Sequence, residues 1–552
     1  MIKTKLLFLF FLVIFGGILL KLAYIQLLKP PDNSFQYLRT QHLSAERGRI
    51  YDRNSQPLVV NKITYQLFAE PKLVKQPALT VKALDSVLKI GEATLEARLD
   101  MSKQWVSLAT RVTSEQKQKI QDLKLSGLGF DDQFQRYYPE ASIAAHLLGF
   151  VGKDQKGEDV GYSGIEGFYD QDLVGLPGVL KTERDLLGRP ILFGLQEKTE
   201  SEDGRDLLLT IDKSVQEIVK KRLLSGMERY QAKDGCVIVA NPNTMEILAL
   251  SCLPDFDPEK YYEFGEDYFK NAAISNLYEP GSTFKPLIMA AALNDGVVKE
   301  QDTFNENGPV ENSGYTIRTW NNEYEGKISM TRILERSSNV GMVYLGDKLG
   351  KDKVYQYVKN LGFGKETNID LQGEVTGRLR EEKDWYPIDF ATVTFGQGIA
   401  VTPIQMITAF ASTINGGKLL RPYTVLKTID GGDERIREPK VVRQVYSAKT
   451  SEIMRRMLYN TVEHGEFKWA KPKGYKFGGK TGTAQIPVGG TYDPTKTVAS
   501  FIGFAPVDKP QFLALVILRE PGSSQWGSET AAPLFFEIAK DLLVYYNIPP
   551  GN

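Results

Sequence analysis

The chain opens on an apolar run. Leu6 to Leu20 contains no polar side chain, and the pattern resumes after Lys21. With Lys21 near one end and able to snorkel, Leu6 to Leu28 is long enough to cross a bilayer as one helix. No small-x-small cleavage site precedes the polar "KPPDNS", so an uncleaved anchor is expected rather than a signal peptide. Lys3 and Lys5 precede the run, which predicts a cytoplasmic amino terminus and places everything after the anchor outside the cytoplasm.

Beyond the anchor (1–28) the patterning divides the chain into a short stalk (29–45), a first module (46–205), a second module (206–546) and a brief tail (547–552). In the first module, short alternating stretches such as "RGRIYDRNSQPLVV" mix with polar helical ones such as "TSEQKQKIQDL", which reads as extended mixed α/β structure. The second module opens with a strand at Leu207–Ile211 and a helix that Asp212 can cap. Val215, Ile218, Val219, Leu223 and Met227 form the apolar stripe of that helix. Two hairpins are predicted, one over "CVIVANPNTMEILALS" and one joining "SFIGFAP" to "QFLALVIL" through "VDKP". A final helix, "ETAAPLFFEIAKDLLVYY", closes the module. The sequence between the hairpins is mostly helical, as in "TPIQMITAFASTINGG", where Thr402 caps, Pro403 takes the first helical position and Gly416-Gly417 ends the run. One antiparallel sheet with helices on its faces accommodates this order.

Composition narrows the chemistry. Lys+Arg and Asp+Glu number 68 each, which leaves no electrostatic case for nucleic-acid binding. Histidine occurs only at positions 42, 146 and 464, so a histidine-based triad or metal centre is poorly supplied. Cys236 and Cys252 cannot alone make a four-ligand zinc site. They flank the first predicted hairpin. Two unpaired thiols are the plainer expectation, and a cross-strand disulfide, which is geometrically demanding, is the alternative.

Three short motifs carry the candidate chemistry. In "EPGSTFKP", Ser282 and Lys285 are spaced to share one face of a helix that starts at the serine. Positive partial charge at a helix amino terminus opposes protonation of Lys285, and a lysine with a lowered pKa can take the serine proton. Ser-x-x-Lys also occurs at Ser86 and Ser114 in ordinary polar helices. The turn before Ser282 and the apolar "PLIMAAAL" behind it set that copy apart. The second motif is "SSN", where Ser337 and Asn339 supply a hydroxyl and an amide. The third is "KFGGKTGTAQI", read as a strand whose Gly478 and Gly479 let another backbone approach, so that a peptide could add to it as a further strand. There Lys480 and Thr481 offer a charge and a hydroxyl to a carboxylate.

In this order and within one module, Ser-x-x-Lys, Ser-x-Asn and Lys-Thr-Gly match the signature of penicillin-binding proteins and serine β-lactamases. The chain resembles class B penicillin-binding proteins, the single-anchor peptidoglycan transpeptidases, and most of all their cell-division subgroup. "RGRIYDRNSQPL", "RYYPEASIAAHLLGFVG", "GYSGIEGFYDQDLVGLPG" and "TFGQGIAVTPIQM" extend the likeness from about residue 46 to about residue 540. Ser55 stands where the family commonly has glycine.

The resemblance implies an α+β architecture: one transmembrane helix, a pedestal domain of the dimerisation type, and a β-lactamase-like transpeptidase domain with a five-stranded antiparallel sheet flanked by helices. It implies that Arg47, Gly48, Asp52, Arg53, Arg136, Gly164 and Glu166 hold the pedestal and catalytic module together. It implies a D,D-transpeptidase that cross-links peptidoglycan stem peptides ending in D-Ala-D-Ala, in septal wall synthesis during cell division. Ser282 is then the nucleophile and Lys285 its base. Ser337 and Lys480 relay a proton to the leaving D-alanine, and Asn339 orients Lys285 and the substrate amide. The substrate-binding residues are Thr481, Gly482 and Thr483, with Lys480, Thr481 and Thr483 holding the terminal carboxylate. The backbone N–H groups of Ser282 and Thr483 form the oxyanion hole. No metal or organic cofactor is implied. β-Lactams are expected to acylate Ser282. A multi-spanning membrane glycan polymerase and division-complex proteins are the expected partners, and the catalytic domain is expected on the outer face of the cytoplasmic membrane. The alternatives are an elongation-type transpeptidase, a β-lactam sensor and a non-catalytic septal scaffold. A sensor fits poorly, since only about five residues precede the anchor.

Overall fold

The computed structural model describes residues 2–25, 38–139, 141–155, 157–183, 196–489 and 491–550. The apolar amino terminus is a helix over Ile2–Ala23, which at 1.5 Å per residue is about 33 Å long, enough to span a bilayer core. Its large side chains are exposed all round, Phe8 and Leu20 among them. The expected end of the anchor and most of the stalk lie in residues 26–37, outside the described residues. The last part of the presumed stalk, Leu38–Leu43, is a strand that pairs antiparallel with Gly178–Glu183. "LRTQHL" has no apolar alternation, so only the backbone pairing reveals it.

The two modules share backbone structure. The long strand Pro57–Ala69 pairs with Val106–Val112, Leu128–Tyr137 and Ile50–Tyr51. Ile50–Tyr51 in turn runs parallel to Leu207–Leu208, and Asp206–Leu209 pairs with Val425–Asp430. One seven-stranded sheet therefore crosses the boundary expected near residue 205. Most of the expected pedestal residues lie at this junction or in the polar knot beside it. Glu166 is fully buried between Arg47, whose Nε donates to it at 2.8 Å, and Arg136, whose Nε donates at 2.6 Å. Burial alone raises the Glu166 pKa, but Arg136 and Arg47 outweigh it and hold the carboxyl below its usual range. Asp52 accepts from the N–H of Lys213 at 3.1 Å, and Arg53 pairs with Glu246 at 3.3 Å, so both reach into the second module. The Gly48 N–H donates to the Leu173 carbonyl, and Gly164 bridges to Gln372.

In the second module, helix α1 (Lys213–Tyr230) is capped by Asp212, which accepts from the N–H groups of Ser214 and Val215. Strands β1 (Asp234–Ala240), β2 (Ile247–Leu253), β3 (Gly478–Val488), β4 (Thr491–Ala505) and β5 (Phe512–Arg519) form an antiparallel sheet in the order β2-β1-β5-β4-β3. Alternation explains why runs such as "FLALVILR" are apolar throughout. Leu513, Leu515 and Ile517 face the helical cluster on one side, while Phe512, Ala514, Val516 and Leu518 face α1 and the closing helix on the other. The helical cluster includes α2 (Lys285–Asn294) and α3 (Asn339–Leu349), and the closing helix is α4 (Ala531–Tyr545).

Two sequence expectations change. Cys236 and Cys252 are direct cross-strand partners in the β1–β2 register and are joined as a disulfide, so the unpaired-thiol reading is corrected. The intervening turn brings the two positions opposite each other, which sequence separation alone does not reveal. The helix after Thr402 covers Pro403–Ala411 with the expected cap, reinforced by Gln405, but it stops before Gly416 and ends in turns.

Candidate active site

Ser282 lies in a single 3₁₀ turn, Gly281–Phe284, that leads into α2. Gly281 has φ +53°, a left-handed conformation that favours glycine, and it bends the chain into the turn. Behind it Leu287 to Ala292 is wholly buried, which fixes α2 in the core and sets Ser282, just before the helix, at the cleft. Pro286 sits within that first turn, where its missing N–H costs little.

The Lys285 side chain is fully buried. Its Nζ donates to the Ser337 carbonyl at 2.5 Å, to Asn339 Oδ1 at 2.7 Å and to Ser337 Oγ at 3.2 Å. Ser337 Oγ in turn donates to Ser282 Oγ at 2.9 Å. The Ser337 hydroxyl thus stands between the serine and the lysine. Ser337 itself has φ +57°, an unfavourable conformation for a residue with a Cβ, and such strain concentrates at functional sites. Burial, together with the charge of Lys480, drives the Lys285 pKa well below its usual value, with Glu306 opposing. The neutral amine is the form that can accept a proton.

The third motif lies on β3, the edge strand nearest Ser282. Lys480 is buried, and its Nζ donates to the Thr481 carbonyl at 3.2 Å and to Thr481 Oγ1 at 3.3 Å. Burial pulls its pKa from 10.5 to about 7, with Glu466 opposing. Thr483 Oγ1 accepts from the Gly527 N–H at 3.0 Å. Gly478 and Gly479 are closely approached by the neighbouring strand. A Cβ on Gly478 would meet the Phe504 ring at 2.3 Å, and one on Gly479 the Ile502 carbonyl at 2.8 Å. Their glycines accommodate the neighbouring strand β4. Close approach at the site depends instead on Gly482, where a Cβ would meet Ser500 Oγ at 2.5 Å and the Pro280 carbonyl at 3.0 Å.

The structure brings Ser282, Ser337, Asn339, Lys480, Thr481 and Thr483 to one cleft, with Lys285 beneath it and Gly482 packed against the Pro280 turn. The seven pedestal residues lie elsewhere, as described above. Ser86 donates to the Ala83 carbonyl of its own helix, and Ser114 starts a surface helix capped by Thr113. Sequence reasoning missed Trp320 and Trp526, whose rings meet edge to face at 5.4 Å and line the cleft, and also Glu466 and Glu306. No local motif marks these four; only the tertiary fold brings them to the site.

Known proteins resemble this chain in both of its modules. The family model for the penicillin binding protein transpeptidase domain matches residues 235–541, and that for the penicillin-binding protein dimerisation domain matches residues 42–209. Stage V sporulation protein D of Bacillus subtilis is 35% identical over 565 residues, covering 100% of this chain and 87% of that protein. Peptidoglycan D,D-transpeptidase FtsI of Escherichia coli is 31% identical over 546 residues, covering 96% and 89%. Among solved structures, a peptidoglycan synthetase from Bifidobacterium adolescentis superposes with a TM-score of 0.76 at 27% identity, covering 93% of this chain and 98% of that one. Penicillin Binding Protein 2X from Streptococcus thermophilus gives 0.77 at 24% identity, covering 92% and 80%, a likeness of fold.

Proposed function

The chain belongs to the class B penicillin-binding proteins and is a serine penicillin-binding D,D-transpeptidase of cell-wall synthesis, and from that premise we propose that Ser282 is its acylated nucleophile and that it works in septal wall synthesis. The single observation that carries the residue assignment is the chain of contacts from Ser282 Oγ through Ser337 Oγ to the buried Lys285 amine.

In this reading the hydroxyls turn so that Ser282 donates to Ser337 and Ser337 to the lone pair of the neutral Lys285 amine, which draws the Ser282 proton across that bridge. Ser282 Oγ attacks the penultimate D-alanine carbonyl of the stem peptide. The backbone N–H groups of Ser282 and Thr483 receive the developing oxyanion, a contribution of about 10²–10³ in rate for one donor. Lys480, Thr481 and Thr483 hold the terminal carboxylate. As the tetrahedral centre collapses, the proton passes through Ser337, assisted by Lys480, to the departing D-alanine nitrogen. An amine of a neighbouring stem peptide then takes the acyl group from Ser282 and forms the cross-link. Asn339, which accepts from Lys285 and donates to the Arg318 carbonyl, keeps the lysine aimed. A β-lactam follows the first half of this path and stays on as a slowly released ester.

The pedestal would span about 46–205 and the transpeptidase domain about 206–546, with Arg47, Arg136 and Glu166 as the structural knot. The apolar amino-terminal helix supports a single membrane span. The lysines before it support a cytoplasmic amino terminus and an external catalytic domain. Glycan polymerisation would fall to a multi-spanning partner within the division complex. A second reading, wall synthesis during sporulation, is favoured by the match to Stage V sporulation protein D along the full chain.

The test is a labelled penicillin followed by mapping of the adduct. A stable ester on Ser282 that disappears in Ser282→Ala supports the assignment, and an adduct on any other residue refutes it. Depletion that blocks vegetative septation favours the division role, and depletion that blocks only spore formation favours the second reading.

A further inference from the structure

Glu306 ends the short strand Thr303–Glu306, which pairs with Gly326–Ser329 beside the second motif. Its side chain is fully buried. One carboxylate oxygen accepts from Ser338 Oγ. The other, Oε2, is buried with no hydrogen-bond partner among the described residues and stands 3.9 Å from Nη1 of Arg336, which has a nearer partner in Glu325 at 2.8 Å. A buried carboxylate so incompletely satisfied is costly unless it serves other charges.

Its position suggests which charges. Ser337 and Asn339 turn their side chains toward Lys285, while the residue between them, Ser338, turns the other way to Glu306. Ser338 Oγ also accepts from the Gly341 N–H and so caps α3. Glu306 therefore anchors the turn in which Ser337 holds its left-handed conformation. The charges that face the Lys285 amine are Lys480 on β3 and Glu306. Arg336 stands behind Glu306 and Glu466 behind Lys480, while in the first turn of α2 Tyr446 donates to the Leu287 carbonyl and stays neutral.

We propose that Glu306 is a positioning residue for the acylation centre: it anchors Ser338, holds the strained Ser337 turn against Lys285, and sets a buried negative charge against the buried Lys285 amine. This rests on the reading of Ser282 as nucleophile and Lys285 as base. Two consequences separate. The anchor governs geometry at every pH, whereas the charge governs the pH at which Lys285 becomes neutral. Removing the anion stabilises the neutral amine and moves the acid limb of acylation to lower pH.

The experiment measures the acylation rate of the full-length protein in lipid nanodiscs with a labelled penicillin across pH, for wild type, Glu306→Gln, Glu306→Asp and Ser338→Ala. In Glu306→Gln the acid limb is expected to fall by about one pH unit. Glu306→Asp keeps the charge and is expected to keep the limb. Ser338→Ala keeps the charge but loses the anchor, and is expected to acylate about tenfold more slowly at every pH with its limb unmoved. Coincident limbs in Glu306→Gln and wild type overturn the proposal, as does a uniform loss in Glu306→Gln without movement of the limb. If Glu306→Gln does not fold, a limb displaced in Glu306→Asp, or wild-type rates in Ser338→Ala, overturns it instead. Failure of the wild type to label on Ser282 is a different result and sinks the underlying assignment, not the role of Glu306.

Discussion

Lys480 supplies the sharpest test of how the cleft handles a carboxylate. Its ammonium is buried, and its pKa is drawn from 10.5 to about 7 by burial, against the partial opposition of Glu466. A drop of about 3.5 units corresponds to roughly 5 kcal/mol by which the empty site disfavours the charged form. A substrate carboxylate placed against Lys480 restores the charge, so binding takes up a proton once the pH exceeds about 7. The second-order acylation constant reports ionisations of the free enzyme. For a carboxylate-bearing β-lactam it should therefore fall above pH 7, approaching about tenfold per unit. An uncharged ester of the same β-lactam has no such partner and should lack this carboxylate-linked limb. Glu466→Gln removes the opposing anion and should move the limb to lower pH. The assay is stopped-flow acylation from about pH 6 to about pH 9 with the acid and ester side by side. A flat profile for the acid, or the same limb for both compounds, refutes the assignment of Lys480 as carboxylate partner.

Three further outcomes follow from the packing. Gly482→Ala should slow acylation by about 10²-fold while the protein stays folded, because its Cβ would meet the Pro280 carbonyl and Thr283 Cγ2, each at 3.0 Å, and push β3 away from the Ser282 turn; stopped-flow rates and circular dichroism check it. Glu166→Gln should destabilise the fold by about 3–5 kcal/mol in chemical denaturation, since it strands Arg47 and Arg136 without their buried partner. Because the Glu166 pKa is depressed in the fold, its contribution is present above the ordinary 4.5 and is lost as pH falls through the lower folded value. The variant should lack that component of acid destabilisation. Lys480→Met should abolish acylation yet melt higher at neutral pH: the unfolded chain binds the extra proton between about 7 and 10.5, so wild-type stability rises with pH across that window. A lower melting temperature for this variant would contradict the burial cost.

What could be read from the sequence was local chemistry and periodicity. The Asp212 and Thr402 caps, the apolar helix behind Ser282 and the strand runs that bury both faces each follow from a few adjacent residues. The three motifs stood out because their residue types are rare together in one order. What escaped the sequence depends on partners distant along the chain. The seven-stranded sheet joins residues 50–51 to residues 207–208 through backbone hydrogen bonds, and hydropathy does not encode which backbone pairs with which. Cys236 and Cys252 bond because their register places them opposite, a property of the turn between them. Gly478 and Gly479 make room for the neighbouring strand, a close approach whose partner the identity of a glycine does not reveal.

The same limit applies to the middle residue of "SSN", to which the sequence assigns no role. Along the sequence Ser338 merely separates two functional side chains. In the fold it is the one that faces inward, caps α3 and meets the buried Glu306. A left-handed Ser337 is held only if its surroundings over-determine it. Its neighbours supply three such restraints: the α3 cap, the Glu306 anchor and the Lys285 hydrogen bonds to both the carbonyl and the hydroxyl of Ser337. The strain places that hydroxyl between Ser282 and Lys285. An unstrained Ser337 would turn its side chain out of the contact, so the rigidity of this turn and the proton path are one requirement.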